Sequence, residues 1–315
     1  MPSYSGIWTL SQQFQAVGQG LWPPNFVPPE TFAIFALGYS GGGLTTRNKY
    51  TYAGDAVSAG GAATVASYGG SAAGNSTAGI FALGFTTAAS TTRNKYTYAG
   101  CVVSAGGAAT VASAYGAATG NSTIGIFALG NATTTRNKYT YSGDVVSAGT
   151  ASSPASSCGS AAGTSTVGIF AIGSAGGACT TRQKYTYSSC VVSAGGAATV
   201  AAIGGSATGN STVGIFTLGM NSSFIRITTR NKYTYSGDVV SAGSVATAAA
   251  YLGSAAGNST VGIFALGNIS CSAPVSTTTR EKYTFSGDVV SAGGAATVAS
   301  YYSSAASNGT SGVNI

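Results

Sequence analysis

The segment Thr46-Arg47-Asn48-Lys49-Tyr50-Thr51-Tyr52 returns with its arginine at 93, 136, 182, 230 and 280, so the chain carries six copies of one unit at intervals of 46, 43, 46, 48 and 50 residues. Nearly all the variation in spacing falls between the Phe-Ala-Leu-Gly ending (Phe35 to Gly38, Phe81 to Gly84) and the next Thr-Arg pair. Elements of constant length joined by one free connection define a repeat architecture, in which each unit buries its apolar surface against its neighbours.

Four short extended segments are legible in a unit. In the second, Ser67–Gly74 precedes the turn signal Gly74-Asn75, and Thr77–Leu83 follows with Ile80 and Phe81. Thr91–Tyr98 then alternates Arg93, Lys95 and Thr97 with Asn94, Tyr96 and Tyr98, and Gly100 turns the chain into Val102-Val103-Ser104. A helical repeat would need long 3.6-periodic runs, which the glycines break. A parallel β-solenoid usually has shorter coils and less confined insertions. Four strands per unit predict an all-β, six-bladed propeller of four-stranded antiparallel blades. The first unit begins at its second strand, Phe32–Leu37, and the last ends on a first-strand segment, Tyr301–Ala306. Pairing of the two closes the ring over residues 31–315.

Composition narrows the function. Histidine is absent and charged residues are 6% of the 315, against about 25% in ordinary domains. The acids Glu30, Asp55, Asp144, Asp238, Glu281 and Asp288 are scattered through the sequence. General acid–base chemistry, nucleophile activation and most zinc sites draw on histidine or clustered carboxylates. The chain therefore reads as non-enzymatic, without metal or cofactor; a propeller hydrolase or lyase is the enzyme alternative, with Tyr and Arg able to support lyase chemistry. Gly41–Gly43 and Gly173–Gly177 lack the Lys and Ser/Thr spacing of a phosphate loop. The five cysteines, Cys101, Cys158, Cys179, Cys190 and Cys271, form no CxxC pair and read as small apolar filler. No leader and no membrane-length apolar run can be read, so the chain is expected to be soluble without a membrane span. The Asn-Ser-Thr segments at Asn75, Asn121, Asn210 and Asn258 fit a hairpin, with asparagine tolerating positive φ, better than a glycosylation site.

Twelve of the 13 basic residues form the repeated pairs Arg47/Lys49, Arg93/Lys95, Arg136/Lys138, Arg182/Lys184, Arg230/Lys232 and Arg280/Lys282. With a net charge of +7, such a belt could take a polyanion, or lay its stems over neighbouring blades. The acid eight positions after each arginine is Cys101 or Cys190 in two units, yet Arg93, Lys95, Arg182 and Lys184 persist there. That pattern favours a structural role. The tyrosine pairs, with Phe285 replacing one ring, read as packing between blades. The irregular second-to-third-strand loops should emerge on one side of the disc, and their Tyr39, Phe85, Met220, Phe224, Arg226 and Ile269 are candidate ligand contacts, the aromatics suited to stacking on sugar.

Residues 1–30 stand outside the repeat as a docking segment. Thr9 can cap a short helix with Leu10, Phe14, Val17 and Leu21 on one face, flanked by Trp8 and Trp22.

Gly79-Ile80-Phe81-Ala82-Leu83-Gly84 and Asn94-Lys95-Tyr96-Thr97-Tyr98-Ala99-Gly100 resemble the second and third strands of kelch repeats, with one glycine in place of a pair and no fourth-strand tryptophan. The start, Ser3-Tyr4-Ser5-Gly6-Ile7-Trp8 with Leu21-Trp22-Pro23, resembles the leader of repeat-rich virion proteins of tailed phages from aquatic bacteria. These resemblances imply a kelch-like structural and adhesion module of a phage tail, fibre or baseplate. It would be bound to other virion proteins through its N-terminal segment and would present loops to a host-surface glycan or other polyanion. The alternative is a bacterial secreted or cell-surface carbohydrate-binding propeller.

Overall fold

The computed structural model describes residues 30–270 and 275–309. Trp8, Leu10, Phe14, Val17, Leu21 and Trp22, and with them the docking helix, lie outside the described residues.

Six four-stranded antiparallel sheets make up the ring. In the second blade the order from the axis outward is Ser71–Gly74, Ala78–Ala82, Arg93–Thr97 and Val102–Gly106. The registers Ala72↔Phe81, Phe81↔Asn94 and Asn94↔Ala105 run across it. The blade that closes the ring takes its innermost strand, Ser304–Ser307, from the far end of the chain and its other three, Phe32–Ala36, Arg47–Thr51 and Ala56–Ala59, from the first unit. Asn308 fastens this joint: its N–H donates to the Phe32 carbonyl at 3.1 Å and its Oδ1 accepts the Phe32 N–H at 2.7 Å. Neighbouring inner strands contact one another in cyclic order, last to first included.

The core is six wedges, one between each pair of blades. Phe32 and Ile34 of the closing blade pack with Ala72, Phe81, Tyr96 and Tyr98 of the next, and the same set recurs around the ring. The inner strands, Ser-Ala-Ala-Gly in several blades, are narrow enough for six to meet around an axis. Bulk is supplied by the Ile-Phe pair and the two tyrosines. Close approach also explains the glycine in the second strand: a Cβ on Gly79 would lie 2.9 Å from the Tyr98 hydroxyl. Both faces of the third strand are covered, so Arg93 and Asn94 are buried alike although they point opposite ways.

The inner hairpins use asparagine for hydrogen bonding and not, as the sequence suggested, for positive φ. Asn75 Oδ1 accepts from the N–H groups of Thr77 and Ala78 at 2.9 and 3.0 Å, and its Nδ2 donates to the Ser122 carbonyl of the next blade at 3.0 Å. Asn121 and Asn210 repeat the arrangement.

Candidate functional site

The repeated basic residues lie between the blades. Each arginine reaches across a wedge and stacks on the phenylalanine of the next blade: Arg47 on Phe81, Arg93 on Phe127, Arg136 on Phe170, Arg182 on Phe216, Arg230 on Phe264 and Arg280 on Phe35, at 4.5–4.7 Å. Its Nη2 donates to the residue after the next arginine, as in Arg93 to Asn137 Oδ1 at 3.1 Å, Arg182 to Asn231 Oδ1 at 3.0 Å and Arg280 to Asn48 Oδ1 at 3.0 Å. Gln183 and Glu281 receive Arg136 and Arg230. The six arginines are at most 2% exposed, so of the two roles open to the repeated pairs they take the one laid over the neighbouring blade and form no solvent-facing belt. Burial lowers Arg47, Arg93, Arg136, Arg182 and Arg280 to about 10, which leaves them charged at neutral pH.

The lysines lie further out. Lys95, Lys184, Lys232 and Lys282 pair at 2.9 Å with Asp144, Asp238, Asp288 and Asp55. In each case the acid belongs to the following blade and not to the lysine's own unit, so Lys95 and Lys184 keep carboxylate partners although their own units carry cysteine. The following blade offers Cys101 to Lys49 and Cys190 to Lys138; Lys49 stands over the Phe32 ring at 4.4 Å.

At one end of the axis the residue two before the inner strand's Ser or Ala adopts a left-handed conformation in every blade: Gly69, Tyr115, Cys158, Gly204, Leu252 and Tyr302, with φ between 50 and 66°. Their backbones close a hydrogen-bonded circle. Gly69 N–H donates to Tyr302 O, Tyr115 to Gly69, Cys158 to Tyr115, Gly204 to Cys158, Leu252 to Gly204 and Tyr302 to Leu252, all at 2.7–2.9 Å. Four of the six are not glycine, and left-handed backbone costs such residues about 1–2 kcal/mol each. The glycine that ends the second strand passes directly beneath: at Gly84, φ +72°, a Cβ would lie 2.5 Å from the Gly69 carbonyl.

Aromatic side chains gather over this circle. Tyr68 stacks on Phe85 with centroids 5.5 Å apart and meets Tyr39 edge-on at 5.1 Å. Tyr302 lies 5.0 Å from both Tyr115 and Tyr301, and Phe85 lies 6.0 Å from Tyr115. All six rings are half-buried. Of the loop residues read from sequence, Tyr39 and Phe85 join this cluster. Tyr68, Tyr115, Tyr301 and Tyr302 were missed, because they precede the inner strand in a segment taken as constant. Their signal was the variation just before it, Tyr68-Gly69 against Ser157-Cys158 or Ile203-Gly204.

The other four candidates form a separate group on the fifth and sixth blades. Met220 pairs with Ile203 in a two-residue ladder and carries a hairpin whose tip is held by Asn221 Oδ1, which accepts from Ser223 and Ile225 N–H at 3.0 Å each. Phe224 sits at the tip with φ +60° and 73% exposure, beside Ile225 at 57%. Arg226 ties the base down: it stacks on Tyr251 at 4.6 Å and donates to Asn268 Oδ1 at 3.0 Å. Ile269, 41% exposed, follows in the neighbouring loop.

Beneath the aromatic cluster lies an axial well. A cavity of about 50 Å³, open to solvent, is lined by Tyr115, Cys158, Leu252 and Tyr302 with the adjoining glycines. It shares Gly70, Gly116, Gly159, Gly205 and Gly253 with a cavity of about 70 Å³ along the inner strands. The well is uncharged at neutral pH. Burial pushes Tyr115 to about 12, and it raises Tyr301, Tyr302 and the Cys158 thiol as well. No group of three or more His, Cys, Asp or Glu is assembled among the described residues.

The fold and this face define the class: a six-bladed β-propeller, a scaffold that supports a protein-interaction module. No family model matches the chain, and no curated protein matches it. Among the described residues no helix is long and apolar enough to cross a membrane.

Proposed function

We propose that the protein is a non-enzymatic attachment module of a phage particle, in a tail, fibre or baseplate, related to kelch-repeat and virion proteins. Residues 1–30 join it to other virion proteins, and the loop face is turned to the host surface. The observation that carries this reading is the preformed Phe224 hairpin. A rigid ring holds an apolar tip in water, at left-handed backbone, where it adds nothing to the core. Strain and exposure of this kind gather at recognition sites. The half-buried aromatic mouth on the loop side adds a second contact surface. The same features serve the alternative, a secreted or cell-surface carbohydrate-binding propeller.

Particle purification separates the two. A virion component bands with particles and is lost from them when residues 1–30 are deleted, with the particles' adsorption to host cells reduced. A free lectin is absent from particles and binds cells without that segment. Phe224→Asp with Ile225→Asp should leave the melting temperature unchanged while weakening adsorption; unchanged adsorption overturns the role given to the hairpin.

A further inference from the structure

We infer that the axial well is a binding site for an uncharged saccharide, with a sugar ring held at Tyr115 and Tyr302 and its hydroxyls directed toward the serine-lined inner strands. This deepens the reading of the loop face as the presenting face by naming the class of ligand it takes.

Three observations converge. The first is the wall. Tyr115 and Tyr302 pack against each other, centroids 5.0 Å apart at an interplanar angle of 49°, and both line the upper cavity, so two partly accessible rings form one side of the entry. Apolar ring faces with hydroxyl edges suit an amphipathic guest, apolar on one side and hydrogen-bonding on the other. The second is the floor. Ser71, Ser160, Ser206, Ser254 and Ser304 line the lower cavity, one from each of five blades, with Ala117 in the sixth. Hydroxyls both donate and accept, which matches a polyol better than an anion or a cation.

The third is charge. Five of the six repeated arginines are spent within the wedges on neutral acceptors of the next blade and Arg230 on Glu281, while Arg226 is held by Tyr251 and Asn268. The well is lined by neither cation nor carboxylate. A phosphate, a sulfated sugar or a uronic acid would lose its hydration there with no opposite charge to replace it. The net charge of +7 therefore says nothing of this ligand, and the guest is neutral. The left-handed, hydrogen-bonded circle at Tyr115 and Tyr302 fixes where both rings start, so the wall is preorganised.

The test is saturation-transfer NMR on the full chain with methyl glucoside, methyl galactoside, N-acetylglucosamine and a neutral trisaccharide, and with glucuronate and glucose 6-phosphate as charged counterparts. At least one neutral sugar should give transfer, strongest at ring protons of one face, with affinity reduced tenfold or more by Tyr115→Ala or Tyr302→Ala. Ser160→Val, which fills the well without touching the aromatic wall, keeps the test decisive if a tyrosine variant misfolds, and should also weaken binding. The charged counterparts should bind at least tenfold more weakly. No transfer from any neutral sugar, tighter binding of the charged ones, or neutral binding untouched by all three substitutions overturns the inference. The experiment uses no particle or host cell, so its failure leaves the attachment reading to stand or fall separately.

Discussion

Six near-identical wedges let one interaction be tested against its own relatives, and the Arg230–Glu281 pair is the most informative. In the fourth blade Arg182 stacks on Phe216 at 4.5 Å and donates to Asn231; in the fifth Arg230 stacks on Phe264 at 4.6 Å and donates to Glu281. The stacking is matched, so Met substitutions at the two sites differ mainly in what they leave behind. Asn231 keeps the Thr199 N–H on its Oδ1 at 3.1 Å and its own donation to Thr199 Oγ1 at 2.7 Å, and replacing a buried charge by an apolar side chain is often close to neutral. Glu281 is 1% exposed and would keep only the Thr247 N–H and hydroxyl. Leaving a buried charge uncompensated costs about 3–5 kcal/mol. Arg182→Met should therefore cost about 1 kcal/mol or less, and Arg230→Met roughly 3 kcal/mol more. Urea denaturation at pH 7 reads the difference. Adding Glu281→Gln should recover most of the loss at pH 7. Equal costs at the two arginines, or no recovery in the double variant, refutes the reasoning.

Phe285→Tyr should stabilise the protein by about 1 kcal/mol, read by thermal melting. Thr208 Oγ1 is buried without a partner against Phe285's wedge, whereas Tyr187 and Thr119 two blades earlier share a hydrogen bond; an unchanged or lower melting temperature rejects the proposed partner. Burial alone would raise the Asp238 and Asp288 carboxyls, but hydrogen bonds from Lys184 and Tyr233, and from Lys232 and Tyr283, with the lysine charges, leave them below 3.8. Their stabilisation is thus present above 3.8 and lost as the pH falls through the lower folded values. Stability should be level from about pH 7 to 5 and fall below about 4, and Asp238→Asn with Asp288→Asn should flatten that limb. Deleting residues 304–315 uncovers Phe32–Ala36 as an apolar strand edge. Gel filtration should show association beyond that of the parent chain, and a peptide covering 300–309 should restore the parent's elution; a deletion variant that keeps the parent's elution and melting temperature argues against closure by this strand.

Blade architecture was legible because its signals are local. Alternation in Arg93–Thr97, the Gly-Asn turn after Ser71–Gly74 and the free loop after Leu83 each declare themselves within a few residues. The candidate site was half legible. Tyr39 and Phe85 stood out as aromatics in irregular loops, whereas Tyr115 and Tyr302 sit beside a constant strand. Their importance comes from a left-handed backbone circle that no single unit contains. The lysine partners were hidden for the same reason: Lys95 pairs with Asp144 of the next unit and not with a residue of its own.

The amino-acid order by itself determined the strands, the number of units and the shared sheet that joins the two ends, since period-two patterning, glycine turns and repeat counting depend on neighbours in the chain. It took the packing of blade on blade to bury six arginines and to gather scattered tyrosines around one well. Arg47 meets Asn94 across 47 positions and Arg280 meets Asn48 across 232. Which groups lose water, and which charges find partners, is settled where blades face each other.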